Sequence, residues 1–384
     1  MRFPTKAGII DKDLAHKQMY RAYQLGVNYY DTAYLYHGGQ SEGVLGDFIK
    51  KCNLEGKVCV ADKLPAFLVS KPEHIEKYFN TQLERLGLGK IDFYLMHSLG
   101  SFNAWKRLKS FGIEDFIAEK KASGQIGHIG FSFHGRLEDF IEILEDYDWD
   151  FCQIQFNYLD ENYQAGLSGL KRAAELGIGV VVMEPLRGGS LAAKAPDKVN
   201  DIFSKTPAGD GLIHSSAYWG LRWVMNHPEV SVVLSGMNDY KHIEENAGVA
   251  SQSSSGTMTD AEIQVIEEVK KVYHRLMKVP CTACNYCMLC PFGVDIPATF
   301  SNYNSKYFFG GNLTLMVQYA GRCTGFIGKK KSGANLCKNC GKCKTKCPQS
   351  IDIPVKLREA HKALSNPLLT LGLNIISLFK GRKG

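Results

Sequence analysis

Residues 26–36 read Gly-Val-Asn-Tyr-Tyr-Asp-Thr-Ala-Tyr-Leu-Tyr, and they predict a short strand between two helices. The run 27–31 is rich in β-branched and aromatic residues, which favour strands. Apolar residues recur at helical spacing before it, over 13–25, and after it, over 41–51. Gly26, directly after the first of these patterns, is typical of a helix end. The stretch therefore predicts a helix–strand–helix unit.

The same alternation continues to about residue 250. Strands buried on both faces read as apolar runs without polar alternation. Such runs lie at 27–31, 57–63, 91–97, 127–132, 151–155, 178–183 and 230–235. Helical patterns lie at 13–25, 41–51, 72–86, 113–123, 137–147, 165–176, 212–227 and 241–250. Repeated β-α units predict an α/β fold with a parallel sheet. Seven strands, with no Gly-x-Gly-x-x-Gly after the first, favour a (β/α)8 TIM barrel with its first strand apparently missing over an open doubly wound sheet.

The composition is that of a folded, globular protein. The chain has 384 residues, of which 45% are hydrophobic and 22% charged, and these values exclude disordered and fibrous classes. No stretch reaches the roughly 20 apolar residues of a membrane-spanning helix. Residues 1–6 lack the apolar core of a signal peptide. A cytoplasmic location is therefore expected.

Charge and cysteine are unevenly distributed along the chain. The net charge is +7, but residues 321–384 contain 14 Lys and Arg against 2 Asp and Glu, a local charge of +12 that leaves −5 for residues 1–320. Nine of the 12 cysteines lie within residues 281–347. This asymmetry predicts an appended C-terminal module with its own partner.

Four titratable side chains lie at or just after the ends of predicted strands. Asp31, Lys63 and His97 close the first three strands, and Tyr36 follows Asp31 by five residues. In parallel barrels the active site forms at the carboxyl ends of the strands. Because a free tyrosine has a pKa near ~10, an ammonium held beside it by a carboxylate is expected to lower that pKa and favour proton donation. Histidine can orient a substrate oxygen, so the set predicts proton donation to a carbonyl that receives a hydride.

This part of the chain resembles the aldo-keto reductase superfamily over about residues 1–250. The resemblance rests on 26–36 with Gly-Gln-Ser-Glu at 39–42, and on four further motifs: Ile-Gly-His-Ile-Gly-Phe-Ser at 126–132, Gln-Ile-Gln-Phe-Asn at 153–157, Glu-Pro-Leu-Arg-Gly-Gly at 184–189 and Leu-Ser-Gly-Met at 234–237. It implies a catalytic tetrad of Asp31, Tyr36, Lys63 and His97, with Tyr36 as the general acid. It also implies an NADP or NAD cofactor and a small-molecule carbonyl substrate.

The resemblance further implies six cofactor-binding residues: Ser132 and Gln153 at the nicotinamide carboxamide, Met183 on the ring face, Gly188 in the loop over the pyrophosphate, and Gly236 and Asn246 at the adenosine end. Met183 replaces a common aromatic residue. Gly236 and His242 stand where members that bind NADPH often place Lys and Arg, and Lys241 could substitute. These replacements leave NAD and NADP both open.

The resemblance also implies a hairpin and a first barrel strand ahead of the segment Met-Arg-Phe-Pro at 1–4. Two interpretations follow. Either the start codon has been placed too late, which is favoured, or the barrel is open beside its last strand and exposes an unpaired edge.

Two cysteine runs predict iron–sulfur clusters. Residues 281–291 read Cys-Thr-Ala-Cys-Asn-Tyr-Cys-Met-Leu-Cys-Pro, and residues 337–348 read Cys-Lys-Asn-Cys-Gly-Lys-Cys-Lys-Thr-Lys-Cys-Pro. The second run has the spacing of [4Fe–4S] ferredoxins, in which the cysteine before proline ligates the other cluster. Two [4Fe–4S] clusters are therefore predicted. Their ligands are Cys281, Cys284, Cys287 and Cys347 for one, and Cys337, Cys340, Cys343 and Cys290 for the other. The first run has one residue fewer before its last cysteine, so its fourth ligand is less well defined.

Zinc and disulfides are the competing interpretations of these cysteines. Disulfides are disfavoured without a signal peptide, and zinc usually pairs two separated C-x2-C units. Cys323 lies outside both runs and is expected to be a free thiol. Cys52, Cys59 and Cys152 are expected to pack in the core.

Four parts of the chain are predicted from these features. They are an aldo-keto reductase barrel at 1–250, a linker and connecting helix at 251–280, a mainly helical two-cluster ferredoxin-like domain at 281–362, and an apolar and basic tail at 363–384. Lysines around the second cysteine run are solvated surface charges or dock an acidic electron carrier, a ferredoxin or flavodoxin. Nucleic acid is not an expected partner. The tail is too short to span a membrane and is expected to pack on protein, with peripheral membrane contact the lesser alternative.

The predicted function is that of an NAD(P)H-dependent oxidoreductase that also carries clusters, for electron transfer or structure. The alternative is an iron–sulfur electron-transfer protein whose barrel serves only as a docking scaffold. Because a hydride carries two electrons and a cluster one, and no flavin motif is visible, the coupling between the two parts stays open.

Overall fold

The computed structural model describes residues 1–6, 9–193, 195–281, 287–288, 290–311, 313–326, 330–347 and 349–374, and the backbone of 375–380. The chain divides into two compact units. The first consists of Met1–Ala193 and Phe203–Ile266, and the second of Lys194–Ile202 and Glu267–Gly384. The domain boundaries at 250, 280 and 362 stay predictions.

A parallel sheet is the centre of the first unit. The described strands are β1 Thr5–Lys6, β2 Ile9–Ile10, β3 Tyr29–Asp31, β4 Cys59–Leu64, β5 Ile91–Leu99, β6 Ile126–Phe133, β7 Phe151–Gln155, β8 Gly179–Met183 and β9 Val232–Val233. Strands β3 to β9 pair in chain order, and every pair is parallel. This agrees with the seven strands predicted from the sequence. The hairpin of β1 and β2 was not predicted.

The sheet curls so that its two outermost strands face one core. Tyr29 of β3 and Val232 of β9 both pack against the buried cluster of Ala61, Leu95, Phe151 and Val181. In a flat sheet, six spacings of ~4.8 Å would hold β3 and β9 about 29 Å apart. Curvature is therefore required, as in a (β/α) barrel. Within the described residues, β3 pairs only with β4 and β9 only with β8.

Helices alternate with these strands. The described helices are α1 Lys12–Gln24, α2 Ser41–Lys51, α3 Glu73–Leu86, α4 Phe102–Lys109, α5 Ile113–Ala122, α6 Leu137–Asp146, α7 Gly166–Glu175, α8 Asp197–Lys205, α9 Ser216–Met225, α10 Tyr240–Gln252, α11 Asp260–Leu276, α12 Ile296–Phe309, α13 Leu313–Thr324, α14 Ile353–Leu364 and α15 Pro367–Lys380. Helices α4 and α8 were not predicted. The predicted start of α9 at residue 212 is wrong, because the Ser215 hydroxyl accepts the N–H of Tyr218 and the helix begins after this cap.

Helices α12 to α15 and cysteine-bearing loops make up most of the second unit. Its buried core includes Phe300 of α12, Tyr319 of α13 and Leu357 of α14. A repeat is visible in the sequence: Cys290 and Cys347 are each followed by Pro, three residues, and Asp-Ile-Pro. The two Asp-Ile-Pro segments stand at the starts of α12 and α14, and these two helices pack together.

The aspartate of each copy of this repeat pairs with a basic residue. Asp295 pairs with Arg322 at 2.8 Å, and Asp352 pairs with Lys344 at 2.8 Å. Ile296 and Ile353 are both buried in the same core. The two copies therefore contribute equivalent residues to one core. No helix in the described ranges is long and apolar enough to cross a membrane.

Candidate functional site

Lys63 and Asp31 form a buried ion pair where two neighbouring strands end. The Lys63 side chain is fully buried, and its Nζ donates to Asp31 Oδ2 at 2.6 Å and to the carbonyl oxygen of Thr32 at 2.6 Å. Burial acts to lower the pKa of Lys63, but Asp31 and then Tyr36 raise it, and the net pKa lies above the ordinary value. Lys63 is therefore a fixed positive charge at neutral pH.

Tyr36 stands in the loop after β3, beside this charge. Lys63 Nζ lies 5.2 Å from the centroid of the Tyr36 ring. The rings of Tyr36 and His97 meet edge to face, with centroids 6.0 Å apart and planes at 80°. His37 follows with a positive φ of 51°, and Gly38 with 66°, which turns the chain sharply after Tyr36. The structure thus brings all four predicted tetrad residues together.

The pKa of Tyr36 differs from the sequence-based expectation. Lys63 is the largest single influence and lowers this pKa, as expected. Burial and three carboxylates outweigh it, and the net pKa of Tyr36 is raised; the carboxylates are those of Asp31, Asp62 and Glu184. The expected lowering is therefore wrong for this arrangement of charges, and Tyr36 keeps its proton at neutral pH.

His97, in β5, is held in its neutral form. Burial lowers its pKa to about 3, and the Lys63 charge adds to the effect. Its Nδ1 is buried and has no hydrogen-bond partner among the described residues. Phe67 has a half-exposed side chain, and the centroid of its ring lies 6.0 Å from the centroid of the His97 ring. His97 is thus an uncharged group with one buried ring nitrogen that no described residue contacts by a hydrogen bond.

A buried carboxyl pair beside the tetrad was missed from the sequence. Asp62 and Glu42 are both fully buried. Asp62 Oδ1 accepts the N–H of Lys63 at 2.8 Å, and Glu42 Oε2 accepts from Arg85 Nη1 at 2.8 Å. Burial, followed by the charge of Glu42, raises the pKa of Asp62 well above its ordinary value. The available signal was Asp-Lys at 62–63, because neighbouring residues of a buried strand point to opposite faces.

Three of the predicted cofactor residues lie on adjacent strands. Ser132 of β6 is the register partner of Gln153 of β7. Gln153 Nε2 donates to Met183 Sδ at 3.4 Å, and Ser132 Oγ accepts the N–H of Ser98 at 2.7 Å. Gln153 Oε1 is buried and has no partner within the described chain. An unsatisfied buried acceptor beside a polarisable sulfur fits the N–H₂ group and the ring of a nicotinamide carboxamide.

The other three predicted cofactor residues lie in or near glycine-bearing loops. Asn246 of α10 donates to Ser235 Oγ at 2.9 Å, next to Gly236. Gly188 has a positive φ of 66°, and its carbonyl oxygen accepts from Arg2 Nη1 at 3.2 Å. The stem of Arg2 also lies against Gly236. Arg2 was missed because a single basic residue in an opening loop carries no periodic signal.

Cysteines of both runs face the core of the second unit. Six of them pack against it: Cys281, Cys287, Cys290, Cys337, Cys343 and Cys347. Burial raises the pKa of Cys343, and nearby Cys337, Cys290 and Cys340 raise it further. These four are the predicted second ligand set. Cys284 lies outside the described residues, and the described cysteines carry no disulfide.

No group of three or more His, Cys, Asp or Glu in the described part of the chain is arranged to hold a metal ion. Cys323, predicted to be a free thiol, is buried, and burial raises its pKa. Cys152, predicted to pack in the core, is fully buried in β7.

Comparison with known proteins matches the first unit. The sequence model of the protein family described as "Aldo/keto reductase family" matches residues 1–271. A relative from Escherichia coli (strain K12), NADH-specific methylglyoxal reductase, is 23% identical over 314 residues, 71% of this chain and 92% of the relative. L-Galactose dehydrogenase from Arabidopsis thaliana is 24% identical over 276 residues, 68% of this chain and 86% of the relative.

Solved structures share the fold. An aldo-keto reductase from Bacillus halodurans, in its holo form, aligns with a TM-score of 0.56 at 22% identity, over 70% of this chain and 91% of that chain. An aldo-keto reductase from Klebsiella pneumoniae in complex with NADPH aligns with a TM-score of 0.55 at 18% identity, over 67% and 85%.

We predict that the His97 imidazole stays neutral between pH 5 and pH 8, because burial and the Lys63 charge both oppose protonation. NMR titration of protein labelled with ¹⁵N-histidine measures this directly, and the His97→Gln variant assigns the resonance. A shift to the imidazolium form with a midpoint between pH 6 and pH 7 would contradict the prediction.

Proposed function

Because the chain belongs to the aldo/keto reductase family and is an NAD(P)H-dependent oxidoreductase, we propose that Asp31, Tyr36, Lys63 and His97 are its catalytic residues. The substrate is a small molecule with an aldehyde or ketone group. The observation that carries this proposal is the buried Lys63–Asp31 pair, which fixes a positive charge 5.2 Å from the Tyr36 ring.

In this proposal Tyr36 donates the proton to the carbonyl oxygen. Its raised pKa keeps the proton in place until the substrate oxygen becomes negative. Lys63 then stabilises the phenolate that forms, and this stabilisation is strong because the ammonium is already desolvated and oriented. Asp31 holds Lys63 in position and keeps it charged.

His97 has an orienting role in the proposed reaction. A neutral imidazole still carries one N–H, which can donate to the carbonyl oxygen without adding a charge beside Lys63. The half-exposed ring of Phe67 adjoins His97 and would contact the rest of the substrate. His97 and Phe67 together would direct the oxygen towards Tyr36.

The proposed cofactor residues are Ser132, Gln153, Met183, Gly188, Gly236 and Asn246. The nicotinamide supplies the hydride when it is bound. Gln153 offers an unsatisfied buried acceptor to the carboxamide, and Met183 offers a sulfur to the ring. The relatives named above include an enzyme called NADH-specific and a structure with NADPH, so NAD and NADP are both retained for this chain.

The Tyr36→Phe variant should lose carbonyl reduction by about 10²-fold or more in kcat, since general acid catalysis contributes that order. Methylglyoxal and a panel of aliphatic and aromatic aldehydes serve as probes, with both cofactors. Cofactor affinity, measured by fluorescence titration, should not change.

Tyr34→Phe is the matched control, because Tyr34 lies in the same loop but contacts Arg85 and Tyr78 instead of the tetrad. It should keep the wild-type rate. Unchanged reduction by Tyr36→Phe would overturn the assigned acid. Wild-type protein that reduces none of the probe carbonyls would instead favour the alternative, an electron-transfer protein whose barrel is a docking scaffold.

We also propose that residues 281–362 carry two [4Fe–4S] clusters. Cys337, Cys290 and Cys340 lie close enough to Cys343 to raise the pKa of its thiol. This proximity supports one complete set of four thiolates drawn from both runs. Each thiolate of such a cluster binds a different iron, so the thiolates lie farther apart than the ligands of a single ion. The other set is Cys281, Cys284, Cys287 and Cys347, and the internal repeat relates its Cys347 to Cys290.

The lysines around the second run would dock an acidic electron carrier such as a ferredoxin or flavodoxin. Lys338, Lys342 and Lys346 are exposed, and Lys344 is exposed but paired with Asp352. Exposed cations attract acidic partners and raise their association rate, and salt screens the effect. We also propose that the protein is cytoplasmic and that its tail at 363–384 packs on protein.

Anaerobically purified wild-type protein should contain about eight iron and eight sulfide per chain. Cys343→Ser should lower both to roughly half, because it removes one ligand of one cluster, with a matching loss of visible absorbance. Cys323→Ser is the control and should retain the full content, since Cys323 belongs to neither set. Zinc in place of iron, or wild-type protein without iron, would refute the clusters.

A further inference from the structure

Arg2 lies between two loops that the proposed function assigns to the cofactor. Its Nη1 donates to the carbonyl oxygen of Gly188 at 3.2 Å. Its aliphatic stem lies against Gly236. The loop of Gly188 follows β8 and that of Gly236 follows β9, so Arg2 joins the segments beyond two adjacent strands.

Gly236 makes room for this side chain. A Cβ atom at position 236 would lie 2.9 Å from Arg2 Cδ and 3.0 Å from Arg2 Cγ, so the Arg2 side chain would have to shift to accept it. Gly236 does not have the positive φ that would itself favour glycine. Glycine at 236 therefore lets the Arg2 stem pack directly against the backbone.

The guanidinium of Arg2 has spare hydrogen-bonding capacity. Guanidinium has five N–H donors, of which the Gly188 carbonyl takes one. Arg2 is exposed, and no carboxylate in the described part of the chain lies within ion-pair distance of it. An exposed, unpaired guanidinium held at one end by a backbone carbonyl is suited to a planar anionic group such as phosphate.

We propose that Arg2 binds a phosphate group of the dinucleotide cofactor and supplies the positive charge that position 236 lacks. This inference rests on the proposed function, because Gly188 and Gly236 are cofactor positions only if the chain binds NAD(P)H. The phosphate is either the pyrophosphate, shared by NADH and NADPH, or the 2′-phosphate of NADPH alone.

Direct binding of NADPH and NADH to Arg2→Met tests the inference by fluorescence titration, without turnover. The variant keeps the stem and removes the charge. Its Kd should rise by about tenfold or more, the order expected for a charge-assisted hydrogen bond. An equal rise for both cofactors assigns Arg2 to the pyrophosphate, and a rise for NADPH alone assigns it to the 2′-phosphate. Unchanged Kd values for both overturn the inference.

Two further variants keep the result interpretable. Arg172→Met removes an exposed cation of the same type from α7, where it pairs with Glu145, and should leave both Kd values unchanged. Arg2→Lys should recover part of the affinity, because it restores the charge but not the planar donor group. Thermal melting checks that each variant is folded.

Two outcomes separate the role of Arg2 from the cofactor binding of the protein as a whole. If the wild-type protein binds and oxidises NAD(P)H while Arg2→Met binds it equally well, only the role of Arg2 is wrong. If the wild-type protein binds neither cofactor, the proposed function is wrong and the role of Arg2 falls with it.

Discussion

The buried ion pair between Lys63 and Asp31 is the interaction on which the site depends. A lone buried ammonium costs several kcal/mol, and removing one partner of a buried pair costs about 3–5 kcal/mol. The pair forms because β3 and β4 are parallel and in a register that sets Asp31 opposite Ala61, two residues before Lys63. The parallel register thus places a fixed positive charge, that of Lys63, at the carboxyl edge of the sheet.

The Lys63 charge acts together with burial on the pKa values of the neighbouring groups. Lys63 opposes protonation of His97 and favours the phenolate of Tyr36, while burial and the charge of Glu42 raise the pKa of Asp62. Asp31 supplies the carboxylate that contacts Lys63 Nζ directly. Such a site can receive a proton-accepting carbonyl without first changing its own charge.

Much of this arrangement follows from local sequence patterns. Strand β7 and helix α2 match their predicted bounds, because an uninterrupted apolar run and an amphipathic pattern mark them clearly. The proximity of Asp31, Tyr36, Lys63 and His97 could be predicted because they stand at or just after strand ends, where parallel topology gathers them. The Asp62–Glu42 pair and the position of Arg2 depend on tertiary contacts between distant segments, and the net pKa of Tyr36 depends on the sum of charges around it. None of these three can be obtained from periodicity.

Local sequence patterns also predict only part of the second unit. The cysteine spacing predicts clusters, but the repeat of Cys-Pro, three residues and Asp-Ile-Pro becomes meaningful only when α12 and α14 pack on one core. The reductase chemistry can be tested separately from it. The most direct measurement is a single turnover with NAD(P)H that carries deuterium at both C4 positions of the dihydronicotinamide. Mass spectrometry of the alcohol then detects the transferred label. Hydride transfer at the Tyr36–Lys63 site predicts one deuterium on the carbinol carbon in ordinary water. An unlabelled carbinol carbon from the deuterated cofactor would contradict it.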